Sequence, residues 1–138
     1  MVRCFTTVND LVNFLCSDFV QYTNERLSMS SLMHIGLSGG NTPKVFLESL
    51  AKKEYDQQIQ WNKIHFYWSD ERCVPANHEE SNYGMANEAL FSKININKTN
   101  LHRIRGENEP FYEAGRYAAE IMNQLPAEAN MPVFDLIF

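Results

Sequence analysis

A short apolar run, Leu32 to Leu37 (LMHIGL), stops directly at SGGNTP, Ser38 to Pro43, and this junction constrains the fold more than any other stretch. The run is too short for a helix and is bounded by serines and glycines, so it reads as a strand. A helix start follows at once. Thr42 is a good N-cap, and Pro43 suits the first helical position, where its missing N–H would be unpaired anyway. Val45, Phe46, Leu47, Leu50 and Ala51 then supply a buried side. Strand, tight turn and helix in immediate succession make half of a β–α–β unit.

The same alternation recurs along the chain. Val2 to Val8, rich in β-branched residues, predicts a first strand. Asn9 or Asp10 offers an N-cap for a helix to about Leu27, with Leu11, Phe14, Leu15, Phe19 and Tyr22 at helical spacing. Lys63 to Trp68 (KIHFYW) predicts the next strand, followed by the polar loop SDERCVPANHEE. Ser81 caps a helix to about Phe91, Asn100 to Ile104 is extended, a helix runs from about Pro110 to Leu125, and Pro132 to Phe138 (PVFDLIF) begins another strand. Strands alternating with helices imply parallel pairing through right-handed crossovers, hence an α/β sheet with helices on both faces. A chain of 138 residues has the size of a single domain. Because the sequence stops inside an apolar strand, residues 1–138 are expected to be the amino-terminal portion of a longer domain.

Charge and cysteine usage narrow the partners. Seventeen acids against 12 bases leave a formal net charge of −5, which argues against nucleic acid and acidic membrane surfaces as partners. No run of about 18 apolar residues predicts a membrane-spanning helix. Cys4, Cys16 and Cys73 form no CxxC pair, and such scattered spacing fits a reducing, cytoplasmic setting. His34 and His65 fall inside predicted strands and read as packed or hydrogen-bonded core positions; His78 has no second ligand at metal spacing. Neither a metal nor a cofactor is expected. His102, Arg103 and Arg105 read as a basic surface group, and Cys73 as a small packed thiol. Asp135, in an apolar strand, requires a partner on burial.

Ligands of such sheets bind beyond the carboxyl ends of the strands, where both SGGNTP and SDER begin. Gly39 and Gly40 let the backbone approach a ligand closely, and the unpaired amides at the helix start, with its dipole, favour an anion. Ser38, Asn41 and Thr42 add hydrogen-bonding side chains. The stretch is neither a Walker loop nor a GxGxxG fingerprint. Arg72 can grip phosphate through paired hydrogen bonds, and Asp70 can orient sugar hydroxyls or move a proton. Asn82 suits contact with a ligand or with backbone.

SGGNTP, WSDERCVP and ESNYGMANEAL, in this order and each after the right element, closely resemble the 6-phosphogluconolactonase family, as do LHRIRGE and FDLIF. The glycine turn is shared with the related glucosamine-6-phosphate deaminases, whereas DERCVP with SNY favours the lactonases. The resemblance implies a Rossmann-like parallel sheet and hydrolysis of 6-phosphogluconolactone to 6-phosphogluconate, in the oxidative pentose phosphate pathway and without a metal. It implies that Ser38, Gly39, Gly40, Asn41, Thr42 and Arg72 hold the sugar phosphate, with Asp70 a supporting catalytic carboxylate in the same pocket. Members of the family continue after the FDLIF-like strand with a G-x-D-G-H segment whose histidine is the proposed general base, so that base is expected beyond Phe138. Two alternatives share the visible residues. One is an isomerase or deaminase of the same superfamily, with Asp70 moving a proton at C2; the other is a non-catalytic sugar-phosphate binder.

Overall fold

The computed structural model describes residues 2–138. Its first element is not a strand. Residues 2–7 are irregular, with Val2 fully exposed, and the segment is pinned to the following helix by Phe5 and Arg3, which both stack on Phe14. With no sheet edge beside it, the β-branched composition finds no pairing partner. Helix α1 (Val8–Met29) then starts earlier than expected, because Thr7 takes the cap: its Oγ1 accepts the Asp10 amide.

Strands β1 (Met33–Leu37) and β2 (Ile64–Trp68) pair in parallel over their whole length, Met33 opposite Ile64 and Leu37 opposite Trp68. Between them lie α2 (Asn41–Leu50) and the single-turn α3 (Lys53–Asp56). After β2 a loop leads to α4 (Asn82–Ala86), which continues as a π-turn, Asn87–Phe91, rather than as regular helix. β3 (Leu101–His102) pairs in parallel with β2, and α5 (Pro110–Gln124) follows. The expected last strand is divided. β4 (Ala127–Glu128) and β5 (Met131–Pro132) form a small antiparallel hairpin whose turn residues Ala129 and Asn130 both have positive φ. Only β6 (Leu136–Ile137) joins the main sheet, parallel to β1, giving the order β3-β2-β1-β6.

The strand periodicity of two separates the sheet's faces. Met33, Ile35, Leu37, Ile64, Phe66 and Trp68 point to one side, where Phe19, Phe46, Leu47 and Phe91 from α1, α2 and the π-turn complete the main core. His34, Gly36, His65, Tyr67 and His102 occupy the other side, where Tyr67 packs with Tyr117 and Leu125 at α5. Helices thus cover both faces of an α/β sheet. Among the described residues no helix is long and apolar enough to cross a membrane.

Candidate functional site

Three strand ends meet at one edge of the sheet. The Ser69 amide donates to the Leu37 carbonyl (2.8 Å), and the Phe138 amide donates to the Gly36 carbonyl (3.0 Å), extending β1's pairing on both sides. The Ser38 hydroxyl donates to the Phe138 carbonyl. The glycine turn therefore lies between the carboxyl ends of β2 and β6.

Within that turn Gly40 adopts φ 109° and ψ 172°, a region open in practice to glycine alone. Gly40 itself is the N-cap of α2, so Thr42 and Pro43 are the second and third helical residues, not the cap and first residue. The proline still occupies a first-turn position whose amide would have no intrahelical acceptor. No side chain caps α2 and its first turn holds no acid. In α1 and α5, by contrast, Thr7 and Glu109 accept first-turn amides. The start of α2 is left as a set of backbone donors at the positive end of a helix dipole.

The acidic loop is organised by Glu71. Its Oε1 accepts the amides of Arg72 (2.8 Å) and Asn82 (2.7 Å), while Oε2 accepts the Tyr83 amide (2.9 Å) and the Ser81 hydroxyl (3.1 Å). The buried Asn82 in turn donates from Nδ2 to the Asp70 carbonyl (3.1 Å). Asn82 Oδ1 lies against Gly39 so closely that a Cβ there would be 2.0 Å away. Glycine turn and acidic loop thus meet through Asn82. The far side of the loop is held by Gly106, where a Cβ would come within 2.1 Å of the Arg72 carbonyl.

Asp70 and Arg72 both present exposed side chains, and Arg72 forms no ion pair among the described residues, whereas Arg26, Arg103 and Arg116 are all paired with acids. The two residues line the mouth of a cleft of about 650 Å³ that runs between the sheet and α5, floored by Gly36, Tyr67 and Ile137. Ser38, Gly39, Gly40, Asn41 and Thr42 do not line this cleft; they reach the acidic loop by way of Asn82. Cys73 also lines it and is exposed, which overturns its reading as a packed thiol: the loop lies over the surface and offers the sulfur no core to enter.

A second polar group lies on the same α5-facing side of the sheet. His65 Nδ1 is 2.8 Å from His102 Nε2, and His102 Nδ1 is 2.7 Å from Glu120, which also receives Arg116. His102 is therefore buried, not part of a basic surface group, because a carboxylate on α5 meets it as β3 docks. Arg103 is held by both oxygens of Glu107. Burial, and then the neighbouring His102 and His34, push His65 down to about 4, and burial likewise lowers His34. Sequence reasoning missed the Glu71 hub and Glu120; a carboxylate next to predicted loop donors is a faint signal for the first, and nothing local signals the second.

Residues 6–138 match the family model described as glucosamine-6-phosphate isomerases/6-phosphogluconolactonase. A 6-phosphogluconolactonase of Haemophilus influenzae is 43% identical over 122 residues, which cover 88% of this chain and 51% of that protein. The crystal structure of the devB protein superposes with a TM-score of 0.90 at 46% identity, covering 98% of this chain and 55% of that one. The 6-phosphogluconolactonase structure from Thermotoga maritima gives a TM-score of 0.80 at 31% identity, covering 91% and 53%. The chain spans about half the length of these relatives. Its matched residues, which include the glycine turn, the acidic loop and the four-stranded sheet that joins them, place it in the glucosamine-6-phosphate isomerase/6-phosphogluconolactonase family.

Proposed function

We propose that these residues form the phosphate-holding and positioning part of an enzyme that hydrolyses 6-phosphogluconolactone to 6-phosphogluconate. The observation that carries this reading is the junction of an uncapped helix start with the loop bearing Asp70 and the unpaired Arg72, through Asn82. In this reading the amides from Gly39 to Thr42 and the Thr42 hydroxyl receive the phosphate, Ser38 braces the turn through its hydrogen bond to the Phe138 carbonyl, and Arg72 neutralises the charge through paired hydrogen bonds. Asp70, at the cleft mouth, orients the ring and supports the reacting centre.

Hydrolysis of a lactone needs a placed water, a base for its proton and donors for the carbonyl oxyanion. The phosphate is remote from the bond that breaks, so holding it contributes by fixing the ring's orientation. The base is assigned to the half of the family fold outside these 138 residues, entering beside β6. A metabolic enzyme with this cysteine pattern is assigned to the cytoplasm.

The test follows acid release from freshly generated 6-phosphogluconolactone, less spontaneous hydrolysis, using the chain continued by the carboxyl half of its Haemophilus influenzae relative. Ammonia release from glucosamine 6-phosphate is measured in parallel. Lactone hydrolysis supports the reading; ammonia release alone transfers the site to the deaminases, and binding of sugar phosphate without either reaction leaves a binder. Replacing Arg72 by Ala should weaken 6-phosphogluconate by about tenfold or more and gluconate hardly at all, since a lost charge-assisted contact is worth about 1.5–3 kcal/mol. Equal loss for both ligands would remove the phosphate role from Arg72.

A further inference from the structure

We propose that Glu71, whose carboxylate oxygens are taken up by donors of the protein itself, is the positioning residue that sets the separation between the glycine turn and the Asp70–Arg72 loop. The inference rests on the sugar-phosphate reading for its consequence, though not for its geometry. One carboxylate accepts four donors: the amides of Arg72, Asn82 and Tyr83 and the Ser81 hydroxyl. A bent loop whose residues are mostly exposed gains from this a fixed attachment to α4. The attachment is aimed, because Asn82, seized by its own backbone, then reaches in two directions with its side chain. Nδ2 holds the Asp70 carbonyl, and Oδ1 lies against Gly39.

The arrangement is more than helix capping. Ser81 already caps α4, its Oγ accepting the Gly84 amide (3.0 Å) and its carbonyl accepting the Met85 amide (3.0 Å). Glu71 takes the two amides that remain, those of Asn82 and Tyr83. The start of α4 is thereby saturated by an internal anion, whereas the start of α2, on the other side of Asn82, has no side-chain cap and no acid. Two helix starts flank one asparagine, and Glu71 leaves α2's alone open to a phosphate. Loss of Glu71 should therefore slacken the distance between the α2 amides and Arg72, and should free a competing set of donors.

The experiment compares Glu71→Gln and Asn82→Ala with the unaltered chain, and uses Glu109→Gln as a control that weakens a comparable cap, on α5, with no hydrogen bond to the acidic loop among the described residues. Titrations with 6-phosphogluconate and with gluconate are run at a temperature where circular dichroism shows each variant folded. The Gly39 and Gly40 amide resonances are followed by NMR without ligand. In Glu71→Gln, two of the four donors face an amide nitrogen. Its affinity for 6-phosphogluconate should fall about tenfold with gluconate unchanged, and both glycine resonances should move. Asn82→Ala should reproduce both effects with Glu71 intact, and Glu109→Gln should lower stability alone. In the extended chain the loss should appear in KM more than in kcat. Unchanged affinity with unmoved glycine resonances would reduce Glu71 to a structural cap, and lost affinity with unmoved resonances would break the route through Asn82. If the unaltered chain fails to bind 6-phosphogluconate, the functional reading falls. The positional coupling is then decided by the glycine resonances alone: movement in Glu71→Gln upholds it, and none overturns it.

Discussion

Gly39 has no room for a side chain, since an added Cβ would sit 2.0 Å from Asn82 Oδ1 and 2.5 Å from its Cγ. The obstruction is a buried amide with its own hydrogen bond to Asp70, so it cannot swing aside without abandoning that bond. Gly39→Ala is therefore expected to separate turn from loop and to destabilise the chain by about 1–3 kcal/mol, the usual range for overpacking. A urea titration checks the stability, and loss of 6-phosphogluconate binding checks the separation; an unchanged midpoint would mean that the two segments do not bear on one another. Gly40 is constrained differently, by its φ of 109° and not by a neighbour. SGG displayed its glycines in the sequence, but the reason for each one did not show: one answers to a residue 43 positions later, the other to the backbone alone. The sequence leaves Asn82 open to either a ligand or backbone, and in the structure its Nδ2 donates to the Asp70 carbonyl.

At the scale of elements, α5 is joined to the sheet by polar groups as much as by apolar ones. Tyr117 lends its hydroxyl to both the amide and the carbonyl of Trp68, and Glu120 receives His102 and Arg116. His102 in turn meets His65 and stacks on Tyr67, whose hydroxyl is 3.4 Å from His34. His65 and His34 are both held below the unfolded value of about 6.5, chiefly by burial; the neighbouring His102 and His34 add to the lowering at His65, while Asp135 opposes it at His34. Between that value and about 4 the unfolded chain binds more protons than the folded one. The contribution is fully present above pH 6.5 and is lost as pH falls toward about 4, before acids such as Glu113, held down near 2 first by Arg116, begin to protonate. Unfolding free energies measured at pH 7.5 and pH 5 should therefore show a decrease that His65→Gln makes smaller; a pH dependence identical in both proteins would remove His65 from the account. The helices and central strands were legible because periods of 3.6 and 2 are written in single residues. The first predicted strand failed because β-branching creates no partner to pair with, and the helix ending at Phe91 closed in a π-turn that no local pattern announced.

Considered as a whole, the molecule leaves apolar surface uncovered at the outer edge of β6, with Ile137 62% exposed, and in the cleft between the sheet and α5. An open parallel edge beside an apolar groove invites association. The 138-residue chain is expected to bind a hydrophobic dye and to self-associate as its concentration rises, and to lose both properties when joined to the carboxyl half of its Haemophilus influenzae relative. Sedimentation of the two forms decides this; a strictly monomeric, dye-free short chain would show the surfaces to be harmless. The sheet's parallel sense and the meeting of its two loops followed from alternation alone. The partner of Asp135 did not, since Arg26 (2.7 Å) lies 109 residues away, and the His34 amide and the Tyr22 hydroxyl that complete the cluster lie 101 and 113 residues away. That separation has a kinetic consequence. Contacts that close so long a loop form late on the route to the native state, after the local strand–helix units have assembled. Asp135→Asn should therefore leave the refolding rate almost unchanged while unfolding accelerates by about tenfold, a modest factor because Arg26 is partly in solvent. A stopped-flow chevron would show it as a shift of one limb: β6 would be the first strand to leave and the last to return, tethered meanwhile to nothing but the length of its own chain.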